Sequence, residues 1–431
     1  MISRYQREGM SLFWSEENKY RSWLEVELAI CEALFQEGII THKELSSIQK
    51  KADFTVGEIL EEEKKSKHDV ASFVTVVSKR LGEEGRFFHY GVTSSDVLDT
   101  SLSLRLRDAG KNILKEVENF LKVLKDKAFQ YKNTLMIGRS HGIHAEPTTF
   151  GLKCALWYEE MKRNKKRLER AIHNISVGKI SGAVGTYAHL SSRIEKHVCK
   201  KLGLVEDPIT TQVIQRDRHA EYFSTLAILA GTIEKIAVEV RHLQRTEVGE
   251  VEENFSRGQK GSSSMPHKKN PILSENLTGL ARLVRSYASA SLENMALWHE
   301  RDISHSSVER VIAEDATTLV DFMLVRISSV VKNLVVKEEK MLENLNQTKG
   351  LIYSQKLLLK LIEKGAVREK AYTLIQRNAL SAYENGKNFK ELVLKDKDIH
   401  KILKTKEIED SFNPKLYVQE VDQTFKRVFN S

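Results

Sequence analysis

Proline scarcity constrains this chain more than any other feature, because proline breaks helix interiors, only five occur in 431 residues, and the first 146 residues contain none. Between Gly279 and Gly350 there is neither glycine nor proline. Strong helix formers dominate that stretch, as they do 102–131 and 152–175. Over 223–240 the apolar residues Phe223, Leu226, Ala230, Ile233, Ala237 and Val240 fall at three-four spacing, one stripe along a helix that seeks a partner helix. The expected fold class is therefore all-α, with a long central helical bundle whose apolar faces continue across copies of the chain. Weak loop signals over 82–95 and at Thr348-Lys349-Gly350 divide it into an N-terminal helical domain (1–93), a central bundle domain (94–345) and a C-terminal helical domain (346–431).

Composition excludes several classes of function. A hydrophobic content of 41% can build a sizeable core. No apolar run is long enough to cross a bilayer and the first 69 residues are studded with charge, so neither a leader nor a membrane partner is expected and the chain is expected in the cytoplasm. Cys31, Cys154 and Cys199 are odd in number, far apart and free of metal-ligand spacing, which leaves buried thiols rather than a disulfide framework or a metal site. No Rossmann glycine pattern follows a strand, and no metal or organic cofactor is expected. The net charge of +9 is spread through alternating basic and acidic residues without a basic block or aromatic interleaving. That pattern suits a small anionic substrate better than nucleic acid.

Three of the five prolines lie in two polar, histidine-containing segments, the places where a helical chain has given up helix. The first is Gly138-Arg139-Ser140-His141-Gly142-Ile143-His144-Ala145-Glu146-Pro147. The second is Gly258-Gln259-Lys260-Gly261-Ser262-Ser263-Ser264-Met265-Pro266-His267-Lys268-Lys269-Asn270-Pro271. Flanked by long helical patterns, the second segment reads as a mobile loop. Its hydroxyls, backbone N–H groups, Lys268 and Asn270 suit a carboxylate on which further negative charge develops. A solvated linker would share that composition, and a lone histidine is more often structural than catalytic.

The run GSSxMPxKxNP within the second segment resembles the signature of the fumarase/aspartase superfamily. The resemblance implies helical homotetramers of three-domain chains, active sites built from several subunits, and elimination of fumarate from succinyl compounds. Other segments are similar to the adenylosuccinate lyase branch: Arg4-Tyr5, 14–17, Lys67-His68-Asp69-Val70, 86–96, 138–151, 181–185, 211–214, 216–219 and 298–310. The likeness runs to about residue 360 and is less distinct beyond it.

On this resemblance the substrate is a succinylated purine-pathway nucleotide, either adenylosuccinate or the succinylated imidazole carboxamide ribotide. His141 is then the general acid that protonates the leaving nitrogen, a task suited to an imidazole near neutrality. Ser262 is the base acting as an alkoxide, with Ser263 binding substrate. The sequence does not separate two adjacent serines, and a serine base needs a dry site with donors around it. Lys268 and Asn270 are the expected carboxylate clamp. Thr93, Ser94, Gln212 and Asn276 are expected beside the succinyl and nucleotide portions, with Lys67, His68, Asp69 and His89 positioning the substrate. Glu275 is a candidate to pair with a histidine and tune its charge. Arg4, Tyr5, Arg301, Ser306 and Arg310 are expected at the phosphate, for which arginine forks are suited. Ser140 stands where the family commonly has threonine, and the hydroxyl survives. Two further readings are another fumarate-releasing lyase, argininosuccinate lyase being nearest, and a non-catalytic helical assembly protein.

Overall fold

The computed structural model describes residues 1–255, 258 and 261–430. Long helices dominate it, notably Ser94–Gln130, Phe150–Ile175, Asp217–Gln244, Ile272–Glu293 and Ser304–Lys332. The stripe from Phe223 to Val240 is buried throughout, as its spacing requires. Among the described residues no helix is long and apolar enough to cross a membrane. All three cysteines are buried and unpaired.

The chain divides into two compact units. The first comprises Met1–Phe120, Lys162–Glu234 and Asn276–Arg326. Its N-terminal core gathers Tyr20, Trp23, Phe54, Phe73 and Phe88 with aliphatic residues from the helices Glu16–Gln36, Asp69–Leu81 and Ser192–Leu202. Tyr20 stacks on Phe73 at 6.1 Å, while Trp23 meets Phe73 edge-on at 5.6 Å. Each such pair adds about 1 kcal/mol beyond its buried area. The consequence for function is positional, because Val70 and Phe88 belong to this core and sit directly beside Asp69 and His89.

The second unit comprises Leu121–Met161, Lys235–Glu275 and Ile327–Ser431. A hairpin of Leu135–Ser140 and Ile143–Thr149 interrupts its helices, with Ser140 opposite Ile143 and a bulge between Ile137 and Arg139. The chain gives up helix here, as the polar segment suggested, and the reason it can form a hairpin is local. A Cβ on Gly138 would lie 2.9 Å from the Glu146 carbonyl, so the strands approach closely only with glycine there. Ile137 packs with Leu345, Ile352 and Tyr353. Arg139 makes two hydrogen bonds, 3.0 and 2.6 Å, to the fully buried Glu250 carboxylate, which also accepts from Asn344 at 2.8 Å. The hairpin is thereby fixed on a buried ion pair two residues before its turn.

Candidate active site

In the first unit, Lys67 ends the helix Val56–Ser66 in the left-handed conformation (φ 56°), and His68 caps the next helix by accepting the Ala71 N–H on Nδ1 at 3.3 Å. With Nδ1 accepting, the imidazole proton sits on Nε2, free to donate. Asp69 accepts the Val70 N–H at 2.8 Å and the Arg310 guanidinium at 2.7 Å. Burial alone would raise the Asp69 carboxyl, but Arg310 outweighs it and holds the group below its ordinary range. Ser306 lies one turn before Arg310, its hydroxyl 3.5 Å from the Arg310 Nε.

His89 also adopts left-handed backbone (φ 61°). Non-glycine residues reach that region rarely, and histidine is among those more often found there. Its Nδ1–H donates to Glu27 at 2.6 Å and its backbone N–H to the other Glu27 oxygen at 3.2 Å. Burial would lower the His89 imidazole, yet the Glu27 carboxylate wins and raises it above its ordinary value. A raised folded value means that this pairing stabilises the fold fully at pH below the ordinary imidazole range and is lost as pH rises through the raised one. In Glu27→Gln the deficit in thermal midpoint relative to the parent is therefore expected to be larger at about pH 6 than at about pH 9. An equal deficit at both would show that His89 carries no extra proton on Glu27's account.

Thr93 and Ser94 stand at the N-terminus of the 37-residue helix Ser94–Gln130, where unsatisfied N–H groups favour an anion. Asp96 holds this corner. Its side chain accepts the Thr93 N–H at 2.8 Å, the wholly buried Lys179 ammonium at 2.5 Å, and the Ser181 and Gly182 N–H groups at 3.2 Å. Gln212 accepts from the Arg301 guanidinium at 3.2 Å. Arg301, Ser306 and Arg310 line one cavity of about 220 Å³ with Trp14, Lys19 and Arg105. Tyr5 and Asn276 are joined at 3.3 Å, and Asn276 also accepts from Arg326 at 2.6 Å. Arg4 lies in the short turn Ser3–Tyr5 and is exposed.

In the second unit, His141 and Gly142 form the two-residue hairpin turn, with φ of 54° and 79°. Left-handed backbone at both central positions is the turn whose twist matches a β-hairpin. His141 is exposed and makes no hydrogen bond among the described residues. Ser262 Oγ accepts two backbone N–H groups, from Met265 at 3.1 Å and Ser264 at 3.3 Å. Ser263 is exposed and has no comparable pair of donors among the described residues. A Cβ on Gly261 would lie 2.3 Å from the Lys268 carbonyl, and Asn270 donates to the Gly261 carbonyl at 2.8 Å, so the segment closes on itself around Ser262. Gln259 and Lys260 lie outside the described residues. Lys268, Asn270 and Glu275 line a cavity of about 710 Å³ with Arg241, His242 and His267.

Each expected group thus falls in one of two sets. Lys67 to Asp69, His89, Thr93, Ser94, Gln212, Arg301, Ser306 and Arg310, with Tyr5, Asn276 and Arg4, belong to the first unit. His141, Ser262, Ser263, Lys268, Asn270 and Glu275 belong to the second. Sequence reading missed Glu27 and Asp96 as supports. Glu27 carried a signal, since it sits on the same helical face as Trp23, Ile30 and Leu34, where a carboxylate is costly unless paired.

A lyase family model matches residues 4–286, and a model described as the adenylosuccinate lyase C-terminus matches 350–428. The chain is 52% identical over 428 residues to adenylosuccinate lyase of Bacillus subtilis, covering 99% of both chains. It is 53% identical over 427 residues to adenylosuccinate lyase of Thermotoga maritima, again covering 99% of both. Among solved structures it is similar to a fumarate lyase from Mesorhizobium (TM-score 0.92, 25% identity, covering 100% of both chains). It is also similar to the 3-carboxy-cis,cis-muconate lactonizing enzyme from Pseudomonas putida (TM-score 0.90, 25% identity, covering 98% and 96%).

Proposed function

The chain belongs to the adenylosuccinate lyase family, and from that premise we propose that it is a C–N lyase that eliminates fumarate from adenylosuccinate to leave AMP. The same elimination on the succinylated imidazole carboxamide ribotide leaves the free carboxamide ribotide. It acts in the cytoplasm, where its buried thiols stay reduced.

The reaction removes a proton from the carbon beside a succinyl carboxylate and then breaks the C–N bond, the electron pair leaving with the purine-side nitrogen. Ser262 takes the proton. What supports this role is the pair of backbone N–H groups already aimed at its Oγ, because donors to the charged form favour an alkoxide. Negative charge then builds on the adjacent carboxylate and is held by Lys268 and Asn270, a role supported by their sharing one cavity wall. His141 delivers a proton to the departing nitrogen, and Glu275 lies on the cavity wall with His242 and His267. On the nucleotide side, Arg301, Ser306 and Arg310 take the phosphate with Arg4 and Tyr5, while Thr93, Ser94, Gln212 and Asn276 hold the remainder with Lys67, His68 and His89.

An exposed acid suits this chemistry poorly unless something covers it, and the homotetramer with sites shared between subunits that the family resemblance implies would supply that cover. Exposed apolar side chains on the long helices, Ile228, Leu283, Leu292 and Val311, support association through the 94–345 bundle. The test is the ultraviolet change when purified protein meets adenylosuccinate, with argininosuccinate and malate in parallel and fumarate identified as product. AMP and fumarate from adenylosuccinate alone are the expected products. Turnover of another succinyl compound instead would keep the superfamily and overturn the branch, and inactivity on all would return the chain to a structural role.

A further inference from the structure

The expected substrate contacts leave unexplained a group of charged side chains buried beside them. Arg216 is 2% exposed, yet it faces two carboxylates. Its guanidinium donates to Asp99 at 2.5 and 3.0 Å and to Glu309 at 2.9 and 3.1 Å. His305, itself buried, lies 3.0 Å from Glu309 through Nδ1 and accepts the Arg301 Nε–H on Nε2 at 3.3 Å. Opposite the Nε2 that accepts from Arg301, Nδ1 faces both the Glu309 carboxylate and the Arg216 guanidinium, each at 3.0 Å.

The other side of the cluster returns to the same arginine. Asp99 accepts the Ile214 N–H at 2.8 Å, and Arg216 donates to the Ile214 carbonyl at 2.6 Å. Ile214 is two residues from Gln212, whose side chain accepts from Arg301 and whose N–H donates to the Glu300 carbonyl at 3.3 Å. A closed ring therefore runs from Arg301 through His305, Glu309, Arg216, Asp99 and the 212–214 segment back to Arg301.

Charge closes the same ring. Burial raises the carboxyls of Asp99 and Glu309, but Arg216 overcomes it and keeps both ionised. The buried His219 beside them is pushed down to about 4 by burial and by Arg216, so it stays neutral. Two carboxylates against one guanidinium leave a single negative charge, and Arg301 is the cation that meets it across His305.

We infer that His305, backed by Glu309, Arg216 and Asp99, is a positioning residue that fixes the Arg301 guanidinium, with its hydrogen bond to Gln212, at the wall of the substrate cavity. Asp99, His305 and Glu309 line that cavity with Arg301. The inference rests on the reading of Arg301 as a substrate contact. An arginine otherwise free to rotate is presented in one orientation, so its fork meets an anion without first being ordered.

A double-mutant cycle on the full-length protein tests this, using His305→Phe, Arg301→Ala and both together, with steady-state kinetics on adenylosuccinate and thermal midpoints for each. His305→Phe keeps the ring's bulk and removes the acceptor, and is expected to raise KM about tenfold, with kcat changed less. In the Arg301→Ala background the same change should have almost no further effect on KM. His305→Gln, whose amide oxygen can accept in place of Nε2, should recover most of the affinity. An unchanged KM in His305→Phe, or an equal penalty with and without Arg301, would overturn the positioning role while leaving Arg301 as a contact. An unchanged KM in Arg301→Ala would overturn that contact and the inference with it. Should His305→Phe not fold, Glu309→Gln takes its place in the same cycle with the same criteria.

Discussion

Replacing His141 with alanine is expected to lower kcat for adenylosuccinate by about 10³-fold while leaving KM nearly unchanged, since one positioned acid contributes typically about 10²–10⁴. The split follows from the role. A proton delivered to the departing nitrogen matters only as the C–N bond breaks, so its loss is felt in the transition state and not in the bound substrate. One structural feature complicates the variant. His141 holds φ at 54° in the hairpin turn, a conformation alanine adopts at a cost of about 1–2 kcal/mol. His141→Asn separates the two effects, because asparagine tolerates left-handed backbone but cannot act as the acid. Both variants should be equally inactive, and the asparagine variant should keep the parent's thermal midpoint. Retained kcat in His141→Asn would remove His141 from catalysis and leave it a turn residue.

Ser262→Ala is expected to be as severe, about 10³-fold in kcat, because it deletes the atom that takes the proton. The two N–H groups that Ser262 Oγ accepts lose their partner in this variant. Ser263→Ala provides the comparison, since it removes a neighbouring hydroxyl that lacks such donors. We expect Ser263→Ala to act on KM more than on kcat. If Ser263→Ala abolished turnover and Ser262→Ala spared it, the base would be Ser263 and the donor pair at Ser262 would serve only the loop.

The helices were legible because their physics is periodic. The spacing from Phe223 to Val240 specifies one buried stripe, and a run without glycine or proline from 280 to 349 leaves few alternatives to helix. The polar segments were legible for the opposite reason, since Gly261, Pro266 and Pro271 cannot continue a helix and the structure uses Gly261 for a close approach to Lys268. The hairpin at His141 was less visible. Its turn is His-Gly rather than the commoner Asn-Gly or Asp-Gly, and its strands are short and half-exposed.

What sequence could not supply was partnership across distance. Glu27 and His89 are 62 positions apart, Asp96 and Lys179 are 83, and Arg216 and Glu309 are 93. Each member alone reads as a surface charge, and only burial reveals that it must be paired. The ring around Arg216 is the clearest case. Arg301 was expected at the substrate from resemblance, but the reason it could be held still lies in His305 and Asp99, which no local pattern singled out.

A shared site requires His141 and Ser262 to serve one reaction from different copies of the chain. The direct measurement is to mix inactive His141→Ala and Ser262→Ala proteins under conditions that permit subunit exchange, verify that mixed oligomers form, and assay adenylosuccinate cleavage. Recovery of activity well above either parent is the expected result, because some sites would then combine an intact His141 with an intact Ser262. Mixed oligomers as inactive as their parents would contradict a shared site and require each chain to act with its own histidine and serine.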